Sequence, residues 1–197
     1  RPSWAKWVIA AADLAGVFNK DEAEDKDSDY MVVPVLAVDF NNKRHLIYAY
    51  RGRGLDADQQ LYQMKKIYHD FDVDLMVLET NAYQKAMHGL ALKRGLKRIK
   101  PHNTGSDKHS VDEGLPALSM DIKSESFIFY SGDGETRKFY DDLINEFFNY
   151  GVEEHDDIVM SIWLANLGVT WFINREYKRN RRKAKKQQKK TKDQIQR

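Results

Sequence analysis

The chain has 197 residues, no cysteine and a formal net charge of +2, with 32 Lys+Arg against 30 Asp+Glu. That length suits one α/β domain with a substantial core plus an appendage. The lack of cysteine excludes a disulfide framework and a thiolate metal site. The near-neutral total conceals two unlike regions: residues 175–197 carry 12 of the basic residues and 2 of the acids, a net +10 against −8 for the remainder.

The basic block is poor in apolar residues, so we expect residues 1–174 to form the domain and 175–197 a tail, disordered or helical only when bound. Its charge suits a polyphosphate partner, and a solubilising role is the plain alternative. The chain opens at Arg1 with neither Met nor a signal-peptide pattern, as expected of a piece of a longer polypeptide. The longest apolar stretch, 158–173, contains Ser161, Asn166 and Thr170 and reads as a buried helix and not as a bilayer span.

In chain order, Trp7–Ala12 is an apolar run ending at Asp13, a buried strand entering a turn. Tyr30–Phe40 and Arg44–Tyr50 are rich in β-branched and aromatic residues, and Asn41-Asn42 between them signals a hairpin. The three strands are expected to form an antiparallel meander. Asp58 then suits the cap of a helix with Leu61, Met64, Ile67, Tyr68 and Phe71 on one face. Val73–Leu78 reads as a central parallel strand stopping at Glu79. A helix over 82–94 closed by Gly95, a strand near 98–101, a polar loop over 102–107, a helix near 108–120 and a strand at 127–130 follow. The last elements are a helix over 137–150, with Phe139, Tyr140, Leu143, Phe147 and Tyr150 inward, and a helix starting at Asp156 or Asp157.

Asp13, Glu79 and the pair Asp156-Asp157 all stand where an apolar element meets a loop or where a helix begins. Ligands of open α/β sheets bind outside the carboxyl ends of parallel strands, so Asp13 and Glu79 meet if their strands are neighbours. A helix beginning at Asp156 or Asp157 would close the same site. Crowded carboxylates repel unless hard cations lie between them, and oxygen ligands without cysteine favour Mg²⁺ or Mn²⁺. Each acid taken singly also fits a duller role, as turn residue, surface group or N-cap.

Three segments together resemble the nuclease domain of the large terminase subunit of tailed bacteriophages, a group of RNase H-like (RuvC-like) nucleases. They are the strand into Asp13-Leu14-Ala15-Gly16 with Ser28-Asp29-Tyr30, the run Leu78-Glu79-Thr80-Asn81-Ala82-Tyr83-Gln84, and His155-Asp156-Asp157-Ile158-Val159-Met160-Ser161-Ile162. The loop Thr104-Gly105-Ser106-Asp107-Lys108 is similar to a further stretch of that family. The resemblance implies an α/β fold with a mixed central sheet, a three-strand antiparallel meander plus parallel strands, flanked by helices. It implies an endonuclease that cuts concatemeric viral DNA, genomes joined end to end, during genome packaging in the host cytoplasm, by two-metal phosphodiester hydrolysis.

On that likeness Asp13 is the central metal ligand, Glu79 the second acid, and Asp156 or Asp157 the third, holding two Mg²⁺ or Mn²⁺ ions. His155 is a candidate to orient water or phosphate. Lys108, His109, Arg181 and Arg182 are candidate contacts to double-stranded DNA. The chain lacks a GxxxxGK[ST] phosphate loop. The ATPase motor is therefore expected on an N-terminal domain of the full-length protein, with the portal and small terminase subunit as partners and the isolated domain a monomer. Two rival readings are an HD-type phosphohydrolase, from His69-Asp70 and His155-Asp156, and a catalytically inactive RNase H-like module that binds nucleic acid.

Overall fold

A computed structural model describes residues 1–15, 30–80, 82–105, 110, 114–130, 134–149 and 157–195, with the side chains at 82–84, 134–136 and 188–195 excepted. Six strands form one mixed sheet: β1 (Trp7–Ala12), β2 (Met31–Val38), β3 (Arg44–Gly52), β4 (Leu75–Glu79), β5 (Ile99–His102) and β6 (Phe127–Phe129). The helices are α1 (Ala57–Asp70), α2 (Ala82–Lys93), α3 (Leu115–Lys123), α4 (Gly134–Phe148) and α5 (Asp157–Ile195). The strand order is β5-β4-β1-β2-β3-β6. β1, β2 and β3 form the expected antiparallel meander, while β4 runs parallel to β1, β5 to β4 and β6 to β3.

Alternation along the strands divides the core into two layers. Val8, Ala10, Ala12, Met76 and Leu78 pack with Leu61, Met64 and Ile67 of α1 and Met87 of α2. Ile9, Ala11, Val32, Leu36 and Val77 face the other way, onto Ile158, Ile162, Trp163 and Leu167 of α5 and Phe139 and Leu143 of α4. The central strands are covered on both faces, which explains their nearly unbroken apolar runs.

Local chemistry sets the turns. Asp39 Oδ1 accepts from the N–H groups of Asn41 and Lys43, at 2.8 and 2.9 Å, and Asn42 adopts a φ of 63°, closing the β2–β3 hairpin. The cap of α1 is Asp56 and not the expected Asp58. A reciprocal capping box forms, with Gln59 N donating to Asp56 Oδ1 and Asp56 N donating to Gln59 Oε1, both at 2.9 Å. Spacing decides this, since Gln59 lies three residues after Asp56.

Helix α5 departs from expectation beyond residue 174. The basic segment, expected to be disordered or helical only when bound, continues the same helix to Ile195. Its Lys, Arg, Gln and Ala are good helix formers, and the buried first half supplies the nucleus that an isolated segment lacks. By length and composition one window of α5 matches a membrane span, but 67% of that window is buried inside the fold. It is a core helix.

Close approach of α5 to the sheet requires Gly168. A Cβ at that position would lie 2.8 Å from Ile9 Cγ2 and 2.9 Å from Val77 Cγ2. On the β3 side a buried polar node ties the layers together: Arg44 Nε donates to Asn166 Oδ1 at 2.9 Å, and Asp121 Oδ2 accepts from Asn166 Nδ2 at 2.9 Å.

Candidate active site

The register of β1 and β4 brings the first two acids together. Ala12 pairs with Leu78 in parallel, so the next residues, Asp13 and Glu79, stand side by side at the carboxyl ends of adjacent strands. Asp13 is held by reciprocal backbone hydrogen bonds with Val32, Asp13 N to Val32 O at 3.0 Å and Val32 N to Asp13 O at 2.9 Å. Alternation settles their direction: Ile9 and Ala11 precede Asp13 on the α5 face, and Leu75 and Val77 precede Glu79 on the same face.

The third acid arrives on α5, which runs antiparallel to β1. Glu176 pairs with Lys6 at 2.6 Å, the Phe172 ring lies 5.5 Å from that of Trp7, and Gly168 lies over Ile9. Followed back at about 1.5 Å per residue, the helix starts at Asp157 over the end of β1 that carries Asp13. Val32, the partner of Asp13, pairs with Arg51, and Arg51 reaches Glu146, which holds the first turn of α5.

Sequence reasoning missed Glu146. Only 5% exposed, it accepts from Ile158 N at 2.8 Å and Val159 N at 3.2 Å through Oε2, while Arg51 Nη2 lies 3.5 Å from Oε1. An acceptor at a helix N-terminus satisfies amides that have no intrahelical partner. Burial pushes the Glu146 carboxyl up to about 7; the two N–H donors and Arg51 oppose the rise, and the charge of Asp157 adds to it. A signal for it exists in the sequence: Glu146 falls three residues after Leu143 on the inward face of α4, where an acid needs a partner.

Thr104 is the second addition. Its hydroxyl donates to Glu79 Oε1 at 2.5 Å from the loop after β5, the loop whose residues resembled a family segment. Its neighbour on β5, His102, lies opposite Glu79 in register and packs its ring 5.6 Å from that of Trp163. Gln60, fully buried, supports the turn after Asp13 by donating to Ala15 O at 3.3 Å and to Leu55 O at 2.9 Å.

The other candidates divide as follows. Asp156, His155, Lys108 and His109 lie outside the described residues. Arg181 and Arg182 stand exposed on the extension of α5, at the opposite end of β1 from the acids. His69 and Asp70 end α1, away from α5, and the six-stranded sheet is not the mostly helical scaffold that the HD-type reading requires. Among the described residues no three acidic or histidine side chains are gathered closely enough to enclose an ion. The donors at this end, Asp13, Glu79 and Asp157, are all carboxylates, the chemistry that fits a hard divalent cation.

No model of a known protein family matches the sequence, and no curated protein matches it. Among solved structures, the large terminase nuclease of thermophilic phage G20c matches with a TM-score of 0.55 and 21% identity, covering 84% of this chain and 82% of that one. The chain has the fold of a large-terminase nuclease. This is the RNase H-like mixed sheet flanked by helices that the sequence implied. Weaker matches are Thermus thermophilus RuvC in complex with a Holliday junction substrate (TM-score 0.44, 9% identity, covering 81% and 91%) and the Fowlpox virus resolvase with Holliday junction DNA (0.43, 12%, covering 84% and 98%).

Proposed function

We propose that this chain is a metal-dependent DNA endonuclease of the terminase type, acting on double-stranded DNA by two-metal phosphodiester hydrolysis during viral genome packaging. The observation that carries the reading is the side-by-side placement of Asp13 and Glu79 at the carboxyl ends of β1 and β4, with α5 starting at Asp157, in a sheet with the terminase-nuclease fold. A fold that served binding alone would gain nothing from placing carboxylates side by side, where they repel one another.

Asp13, Glu79 and Asp157, with Asp156 next to it in sequence, are the residues that would hold Mg²⁺ or Mn²⁺. When bound, such ions activate water and stabilise the leaving oxygen of the phosphodiester. The chain itself supplies position. Thr104 fixes one Glu79 oxygen, and the other would be available to a cation. Glu146 anchors the first turn of α5 and so sets where Asp157 stands. Gln60 ties down the backbone two residues after Asp13. Acids held this way need little rearrangement on binding cations, which is how a preorganised site lowers a barrier.

The test is cleavage of supercoiled plasmid in Mg²⁺ or Mn²⁺ by the wild type and by Asp13→Ala. The wild type is expected to nick and linearise the plasmid, with EDTA stopping it, and the variant to show no cleavage while melting as a folded protein. Equal cleavage by both proteins would refute the assignment. DNA binding without cleavage by the wild type would favour the inactive-module reading.

A further inference from the structure

The extension of α5 carries its cations on one face. Arg175, Lys178, Arg179, Arg182, Lys183 and Lys186 follow a spacing of i, i+3, i+4, i+7, i+8 and i+11, the repeat that keeps side chains in one stripe. With Trp171 and Lys100 they line an open groove of about 790 Å³. Lys100 Nζ stands 3.3 Å from the centre of the Trp171 ring, on the same face of β5 as His102. Arg181, singled out in the sequence, is off the stripe and does not line the groove; Arg182 lies on the stripe and lines it.

We propose that this stripe is a docking surface for the phosphate backbone of duplex DNA, bound without base readout. Charge density argues for a polyphosphate: the six cations span 12 residues, about 16 Å of helix, and no acid is among the described residues that line the groove. Duplex DNA presents one charge per roughly 1.7 Å of axis, so about ten phosphates face that length. Single strands are held largely by stacking on exposed aromatic rings. Here the described residues give the groove one aromatic, Trp171, and Lys100 covers it. The nuclease reading supplies the orientation only: β5 leads from Lys100 at the groove to the loop where Thr104 meets Glu79, so a duplex along that edge would reach both.

Binding of a fluorescein-labelled 30-base-pair duplex, followed by anisotropy in EDTA across NaCl concentrations, tests the stripe without cleavage. Three proteins suffice: wild type, the stripe variant K178Q/R182Q/K186Q, and the charge-matched control R181Q/K65Q/K123Q. All six sites are exposed, and Gln is as good a helix former as Lys or Arg, so circular dichroism should show all three folded. If each stripe cation neutralises a phosphate, the slope of log K against log salt falls by about 2 to 3 in the stripe variant only, with about tenfold or greater loss of affinity. Equal shifts in the two variants, or a stripe variant that binds like the wild type, would overturn the proposal. Failure of the nuclease reading would show separately, as wild type that never cuts plasmid while the stripe difference persists.

Discussion

Along α5, residues 158–169 are at most 5% exposed and press on the sheet, whereas residues 178–187 are exposed and touch no other element's core. The first half is specified by packing: its apolar side chains fit between β1, β2 and β4, and Gly168 sets how closely they come. The second half, exposed over its described residues, rests chiefly on intrinsic propensity and its covalent continuity with the first. A buried half can aim an acid because its position is fixed, while an exposed half can present charge because its side chains face solvent. The same helix therefore serves both ends of the molecule by two different physical means.

The packed half is most sensitive at Gly168. Gly168→Val forces branched carbons into Ile9 and Val77, and overpacking of this kind costs about 3 kcal/mol. For a domain of this size that is about 6–12 °C of Tm, read by thermal melting. A variant that melted like the wild type would mean that α5 can retreat from the sheet and that its first half is less fixed than its packing implies.

Glu146 sharpens the same half. Its folded carboxyl titrates near 7, above its ordinary value of 4.5, so between these values the native state holds the proton more tightly than the unfolded state does. The stability from this group is thus fully present below about pH 4.5 and is lost as pH rises through 7, a loss of roughly 1–3 kcal/mol. Glu146→Gln keeps an oxygen for Ile158 N and Val159 N but cannot titrate, so metal-free protein in EDTA should lose that part of its pH dependence in denaturant melts. Identical slopes for the two proteins would place the titration on another group.

A smaller effect is expected at Thr104. Thr104→Val keeps the volume and removes the hydrogen bond to Glu79, worth about 1 kcal/mol, so cleavage should fall about fivefold with little change in Tm. A Tm loss with unchanged cleavage would make Thr104 a support of the β5 loop and not of the acid.

These residues also mark how far the sequence could be read. The meander, the parallel β4 and the acids Asp13 and Glu79 at strand ends were legible, because apolar runs with abrupt polar stops state both the element and its end. A helix beginning at Asp156 or Asp157 was legible for the same reason, with the choice between the two left open by the sequence. The Asp56 cap was misassigned by two residues, since Asp56 and Asp58 are equal by type and only the partner Gln59 separates them. Glu146 and Thr104 act through contacts from distant segments, 12 and 25 residues away, which periodicity does not encode. The extension was read by its charge, which pointed to disorder, while its helical state depends on the buried half that precedes it.

That dependence yields the finest test of the comparison. Ala184 lies on the far side of the helix from the stripe, so Ala184→Gly removes no cation and should touch no phosphate. It costs about 1 kcal/mol of helix propensity, against a segment that has no packing to absorb the loss. The expected result is lower helicity by circular dichroism and faster amide exchange beyond residue 184, with the main melting transition unmoved. If Tm falls as well, the extension folds cooperatively with the domain and the division of α5 into a packed half and an autonomous half fails. If neither changes, something other than propensity holds the second half, and contacts from outside the described residues become the place to look for it.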